Sequence, residues 1–131
     1  MWARREKTIW VQGEDAAARY MKRNGCVVIA RNLRLGMGEI DLLCREKKTG
    51  TIIVVEVKAR LHAEDTRIQI DPTASITQAK KTKLRTLARA IKKQTEYRDS
   101  PIRIDVVSVI FTPKKRRPKQ IKRYQSAVTE T

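Results

Sequence analysis

Runs of apolar residues rich in Val and Ile recur along the chain, and turn-prone or polar residues bound each run. Such runs are typical of strands, whereas apolar positions three and four residues apart are typical of helices. The first pattern predicts strands at 26–33, 38–44, 52–60 and 102–111. The second predicts helices over 5–24, ending at Gly25, and from a Ser75–Gln78 capping box to about Glu96.

These elements occur in the order α-β-β-β-α-β. A strand, a long helix and another strand form a crossover, so the last strand should run parallel to the third, with a right-handed connection. That last strand is apolar at almost every position, as expected for a strand covered on both faces. The sequence therefore predicts an α/β domain with a mixed four-stranded sheet flanked by helices.

The connector 46–50 is short and polar and contains a glycine, so it predicts an antiparallel hairpin. With an even number of loop residues, Asp41 lies opposite Glu56, and Glu39 lies opposite Lys58. A three-residue loop would shift the register by one and separate the two acids. Because side chains alternate along a strand, Glu56 and Lys58 point to the same face of the sheet.

Directly opposed residues have Cβ atoms roughly 4.5–5.5 Å apart, a distance at which two carboxylates repel each other. A divalent cation such as Mg²⁺ between Asp41 and Glu56 would remove this repulsion, because hard cations take carboxylate oxygens. The alternative is a structural ion pair, in which Lys58 neutralises Asp41 or Glu39 without a metal.

Several basic residues lie where they could contact phosphates. Arg31, Arg34 and Arg60 flank the turn and strands of the acidic pair, and guanidinium groups pair bidentately with phosphate oxygens. A basic face on the second helix begins with the lysines Lys80, Lys81 and Lys83. A solvated surface is the alternative for each, although cations without compensating acids repel one another.

The charge of the chain is +16, from 30 Lys+Arg and 14 Asp+Glu, and its 131 residues suit one domain, 1–131. Residues 72–131 hold 16 basic and four acidic side chains, and 112–131 reads as a basic C-terminal arm or loop, with 120–128 as a candidate edge element. A positive electrostatic field of this size favours the binding of polyanions, and nucleic acid is the first candidate. Ribosomal association, an acidic membrane surface and solubility remain alternatives.

Other classes of protein have little support in the sequence. The two cysteines form no Cys-x-x-Cys pair, and His62 is the only histidine, which argues against structural zinc and for reduced thiols in a cytoplasmic protein. The sequence has no apolar signal-peptide region near Met1 and no run of eighteen apolar residues. We therefore expect neither secretion through a signal peptide nor a membrane span.

Several short motifs occur in order along the chain, at Gly13-Glu14, Arg31-Asn32-x-Arg34, Gly38-Glu39-Ile40-Asp41, Glu56-Val57-Lys58-x-Arg60, Lys80, and Arg103-x-Asp105. Asp41 followed by Glu56-Val57-Lys58 fits the D-xₙ-(D/E)-x-K signature of restriction-endonuclease-like, or PD-(D/E)xK, nucleases. As a set, the motifs resemble the YraN-like family of uncharacterised bacterial proteins. That family is considered a distant relative of archaeal Holliday-junction resolvases.

The resemblance implies a restriction-endonuclease-like core and cleavage of DNA, including branched or structured DNA. It implies that Asp41, Glu56, the Val57 carbonyl and Glu14 hold Mg²⁺ or Mn²⁺, with Lys58 as the catalytic amine. The alternative is that Glu14 is an ordinary surface glutamate and binds no metal. Junction resolvases cut two strands symmetrically, so a homodimer is a further expectation. The alternative function is a non-catalytic nucleic-acid-binding protein of the same fold, associated with DNA or with the ribosome.

Overall fold

The computed structural model describes residues 8–62, 76–113 and 117–129. The elements follow the predicted order, with one more strand at the C-terminal end. They are α1 (Ile9–Arg23), β1 (Cys26–Leu35), β2 (Gly38–Glu46), β3 (Ile52–Leu61), α2 (Gln78–Lys93), β4 (Ile102–Phe111) and β5 (Gln120–Val128). No helix in these ranges is long and apolar enough to cross a membrane.

The five strands form one mixed sheet in the order β1-β2-β3-β4-β5. Only β3 and β4 pair in parallel, and the other three pairings are antiparallel. Since α2 lies between β3 and β4 in the chain, this confirms the predicted crossover. The α/β class is therefore confirmed, while the predicted four strands become five.

Helix α1 covers one face of the sheet. Thr8 is extended and its side chain accepts a hydrogen bond from the Val11 N–H, so α1 begins at Ile9, and Gly25, at φ +83°, follows its end. Residues 5–7 of the predicted helix lie outside the described residues. Gly13 lies within α1 and permits close packing. A Cβ at Gly13 would lie 2.5 Å from the Ala59 Cβ, so glycine lets α1 approach β3.

Helix α2 covers the opposite face. Its N-cap is Thr77, whose side chain accepts from the Lys80 N–H. Ser75, the first residue of the predicted Ser75–Gln78 capping box, lies outside the described residues. The helix ends at Lys93, three residues before the predicted end. A buried stripe of Leu84, Leu87, Ala88 and Ile91 packs on the sheet, and Lys80 lies one turn before Leu84 on the same side.

Within the predicted basic arm or loop over 112–131, a strand, β5, forms, while residues 114–116 and 130–131 lie outside the described residues. Residues 120–128, the candidate edge element, pair antiparallel with β4 and complete the sheet. The physical reason is that β4 is buried along nearly its whole length and therefore needs a neighbour on each side. The two cysteines, Cys26 and Cys44, are buried and unpaired, as predicted, and burial raises the pKa of Cys44 to about 12.

Candidate active site

The β2–β3 hairpin has the predicted register but opens at one end. The ladder pairs Arg45 with Ile52 and continues to Leu42 opposite Val55, where it stops. One residue further along this register, Asp41 would lie opposite Glu56. There the backbone ladder is replaced by a side-chain contact, because the Val57 N–H donates to Asp41 Oδ2 at 2.8 Å.

The other neighbour of β2 is also irregular at this position. In β1, Arg31 pairs with Leu42 and Leu33 with Ile40, so Asn32 would face Asp41, but Asn32 has a left-handed φ of +50° and is not paired. Asparagine tolerates this conformation better than most residues. On β2, Leu42 packs with the α1 face whereas Ile40 packs with the α2 face. The strand thus rotates at Asp41, and its carboxylate is released from regular sheet packing.

Glu56 lies on the α2 face, as the alternation of β3 predicts, and is only 5% exposed. Its Oε1 atom is 3.8 Å from Lys58 Nζ and 3.5 Å from Lys80 Nζ. Its Oε2 atom is buried and, within the described part of the chain, has no hydrogen-bond partner. Burying a charged oxygen without a partner costs free energy, so a ligand that binds this atom would stabilise the site.

The two acids perturb each other. Burial, and then the nearby Asp41 charge, raise the pKa of Glu56 to about 7, despite the two lysine ammonium groups. Burial also raises the pKa of Asp41, against the Val57 hydrogen bond, the Lys80 charge and a hydrogen bond with Glu56. Two carboxyl groups can share a hydrogen bond only when one of them carries a proton. A proton or a cation between them would satisfy the same oxygen atoms.

The residues present fit a divalent cation in part. Asp41 and Glu56 supply two adjacent carboxylates, and Oε2 of Glu56 has no hydrogen-bond partner in the part of the chain that the structure describes. Val57 presents its N–H to Asp41, and because the N–H and C=O of a strand residue point to the same side, its carbonyl faces the same opening. The ligand set that the resemblance implies for these three residues stays a prediction.

Glu14 does not join them in this conformation. It is half-buried on α1, hydrogen-bonded by the Asn32 side chain, and its pKa is raised first by burial and also by the Asp41 charge. Throughout 8–62, 76–113 and 117–129, however, no three His, Cys, Asp or Glu side chains are close enough to share a metal ion. The reason is that α1 lies on the face opposite Glu56.

The predicted phosphate-binding residues divide between the two faces and the β1–β2 turn. Arg31 is held by Asp15 of α1 at 2.6 Å, whereas Arg34 is exposed and lies 3.9 Å from Glu39. The Lys83 side chain passes over Gly38, and a Cβ at position 38 would lie 2.5 Å from Lys83 Cε. Three further predicted residues, all half-buried, are Arg60, Lys80 and Lys81.

Two residues have roles that the sequence did not predict. Lys80 was expected on a phosphate-binding helix face, and the structure places its amine against Glu56 instead. Its helical spacing from Leu84, four residues later, could have shown that it continues the buried stripe. Asn32 has a left-handed conformation, and an asparagine within a strand pattern is the sign of it that the sequence offers.

The sequence has clear relatives. The profile described as "Uncharacterised protein family UPF0102" matches residues 13–109. This chain belongs to family UPF0102. The match confirms the resemblance to the YraN-like family. The matched range contains the positions of Glu14, Asp41, Glu56, Lys58 and Lys80.

Two UPF0102 proteins illustrate the similarity. The protein of Pelotomaculum thermopropionicum is 36% identical over 122 residues, which cover 92% of this chain and 95% of the relative. The protein of Ralstonia pickettii is 39% identical over 99 residues, covering 74% of this chain and 76% of the relative. Neither name states an activity.

Two solved structures resemble the chain weakly. A complex of EndoMS with double-stranded DNA gives a TM-score of 0.44 at 17% identity, over 88% of this chain and 42% of that one. SfsA of Pyrococcus furiosus in complex with Ca²⁺ gives a TM-score of 0.38 at 14% identity, over 88% and 63%. The chain thus spans less than two thirds of either protein. Both TM-scores lie below 0.5, too low to establish a shared fold.

Proposed function

We propose that this protein is a divalent-metal-dependent endonuclease that hydrolyses DNA phosphodiester bonds. The observation that carries the proposal is the buried Oε2 of Glu56, which has no hydrogen-bond partner among residues 8–62, 76–113 and 117–129. It lies beside Asp41, at the opening of the β2–β3 hairpin. Unsatisfied carboxylates with perturbed pKa values are typical of functional sites. The net charge of +16 provides the attraction for a polyanion.

Asp41, Glu56 and the Val57 carbonyl would hold Mg²⁺ or Mn²⁺, whose preferred ligands are oxygens. When bound, such a cation supplies Lewis acidity toward a phosphodiester. The Val57 N–H fixes the Asp41 carboxylate, which therefore does not have to be ordered when a ligand arrives.

Lys58 follows Glu56 by two residues on β3, so both side chains point to the same face. Its side chain is 29% exposed and thus reaches from the buried acid toward solvent. In this position the ammonium group can stabilise negative charge that accumulates on the phosphate during attack. A preorganised charge of this kind is worth roughly 3–4 kcal/mol of barrier.

The first test is cleavage of duplex, single-stranded and four-way-junction DNA by the full chain with Mg²⁺ or Mn²⁺. We expect metal-dependent cleavage, and a loss of at least about 10²-fold for Asp41→Ala or Lys58→Ala, with DNA affinity retained. Lys48→Ala is the matched control, because Lys48 is an exposed lysine in the hairpin turn. Absence of cleavage of all three substrates would refute the enzymatic proposal.

Preference for branched DNA is the finer part of the proposal. It is supported only by the family's relationship to junction resolvases, and symmetric cutting would need two copies of the chain. Comparison of cleavage rates on a four-way junction and on its linear arms, together with sedimentation of the protein–DNA complex, tests both points. Equal rates on the two substrates with one bound copy would contradict them.

A non-catalytic nucleic-acid-binding protein is the second candidate. It is favoured by one observation: Glu14 does not complete a three-acid metal group in the described parts of the chain. Calorimetric titration with Mn²⁺ separates the two functions. The nuclease should release heat on binding, and Asp41→Asn should not. A simple binding protein should ignore Mn²⁺ and bind DNA or RNA with a steep salt dependence.

A further inference from the structure

Lys80 is in an electrostatically unusual place. It lies in the first turn of α2, which contains no acidic residue, where the helix dipole disfavours a cation. Its ammonium group is nevertheless 3.5 Å from Glu56 Oε1, closer than that of Lys58 at 3.8 Å. The Glu56 carboxylate therefore compensates for a position that is unfavourable for a lysine.

Two ammonium groups lie beside the acids of the site before any metal is added. Asp41 and Glu56 face Lys58 and Lys80, so two acids meet two amines. A divalent cation held by the acids would leave an excess of positive charge around a carboxylate that is only 5% exposed. Because like charges at about 4 Å repel strongly where water is scarce, one amine has to move away.

Lys80 is better suited to move than Lys58. The backbone of Lys58 is held two residues from Glu56 on the same strand, β3. Lys80 reaches the acid from a separate element through a flexible four-carbon stem, and its side chain is 34% exposed. A path from the carboxylate to solvent is thus open to its amine.

We propose that Lys80 is an exchangeable counter-ion, which neutralises Glu56 while the metal is absent and transfers its amine to a substrate phosphate when the metal binds. The proposal rests on the proposed function, since it requires a metal at Asp41 and Glu56. It assigns to Lys80 a different role from the general phosphate contact expected of a basic helix face. It also explains why this lysine continues the buried stripe of α2.

The test is calorimetric titration of Mn²⁺ into the full-length wild type, Lys80→Met and Lys81→Met. Removing the Lys80 charge should raise Mn²⁺ affinity about tenfold, because the ion no longer displaces or repels a neighbouring cation. Lys81→Met is the matched control. It removes the same charge from the next helix position, and we expect affinity within about twofold of wild type.

A purely structural Lys80 would behave differently. Its loss would lower the melting temperature without tightening Mn²⁺ binding. At saturating Mn²⁺, the exchange instead predicts that Lys80→Met weakens DNA binding more than Lys81→Met does, while Lys80→Arg retains Mn²⁺ and DNA affinities near wild type. If Lys80→Met does not fold, the Lys80 Cε resonance of labelled wild-type protein, assigned with Lys80→Arg, should shift on addition of Mg²⁺.

The possible results separate the two proposals. Mn²⁺ binding by wild type with equal or weaker binding by Lys80→Met would overturn the exchange and leave the metal site intact. An unchanged Lys80 resonance in Mg²⁺-bound wild type would do the same. If neither wild type nor Lys80→Met binds Mn²⁺, the metal-dependent function fails, and the exchange fails with it.

Discussion

Two buried acids on adjacent parallel strands have opposite surroundings. Asp105 of β4 is the Cα partner of Val55, the residue before Glu56, and it is fully buried. Its carboxylate accepts from Arg103 Nε at 3.1 Å, from Arg123 Nε at 3.1 Å and from the Ser126 N–H at 2.9 Å. Glu56 is almost as buried, but within the described ranges its Oε2 has no hydrogen-bond partner.

The difference distinguishes a structural acid from a candidate functional one. Asp105 joins β5 to β4, and its acceptors are occupied by groups of the protein itself. Both clusters contain two cations, so the presence of basic neighbours does not separate them. What separates them is hydrogen-bond satisfaction, because an ionised oxygen without a donor costs free energy that a ligand can recover. Asp105 is thus a structural partner of Arg103 and Arg123.

Breaking the satisfied cluster should have the largest effect on stability. Asp105→Asn removes the charge that compensates Arg103 and Arg123, and loss of one partner of a buried pair costs about 3–5 kcal/mol. Urea unfolding at pH 7.5 measures this change in the free energy of unfolding. Asp99→Asn, at an exposed aspartate, is the control. A cost below about 1 kcal/mol would show that Asp105 is not structurally essential.

Glu56→Gln should have a smaller effect and the opposite sign. The pKa of Glu56 is raised from 4.5 to about 7 on folding, so the folded protein binds this proton more tightly than the unfolded chain. Its contribution to stability is therefore largest below about pH 4.5 and is lost as the pH rises to about 7. In metal-free buffer at pH 8, Glu56→Gln should thus be more stable than wild type by roughly 1–3 kcal/mol.

The pH dependence provides the control for this prediction. The gain from Glu56→Gln should largely disappear at pH 5, where the wild-type side chain is protonated in the folded state. Glu96→Gln, at an exposed glutamate, should leave the pH profile unchanged. Urea unfolding of the three proteins between pH 5 and pH 8 tests this. A Glu56→Gln variant less stable than wild type at pH 8 would mean that Glu56 is a satisfied structural acid like Asp105.

The exposed Arg31–Asp15 pair should show the smallest effect. The pair joins β1 to α1 at 2.6 Å, and the Arg31 side chain is 39% exposed. Arg31→Ala should cost less than about 1 kcal/mol, because solvent screens surface ion pairs. Urea unfolding in 0.1 M and 1 M salt measures the change. A cost above about 2 kcal/mol would show that a short surface contact can match a buried cluster.

The sequence by itself determined the features that depend on neighbouring residues. The even loop count after β2 gives the β2–β3 register, which the structure confirms from Arg45–Ile52 to Leu42–Val55. Period-two alternation places Glu56 and Lys58 on one face, and their amine and carboxylate are 3.8 Å apart. These features follow from short-range backbone geometry, so they could be predicted without knowledge of the packing.

Only the tertiary structure decided which groups surround the two acids at the open end of the β2–β3 hairpin. The Val57 N–H turns to the Asp41 side chain, Lys80 arrives from α2, and Glu14 stays apart on the α1 side. The positions of Lys80 and Glu14 depend on how the two helices pack on opposite faces of the sheet. Hydrophobic spacing shows that both helices are covered on one side. It does not specify their rotation and height over β3, and these set which polar side chains meet at the acid.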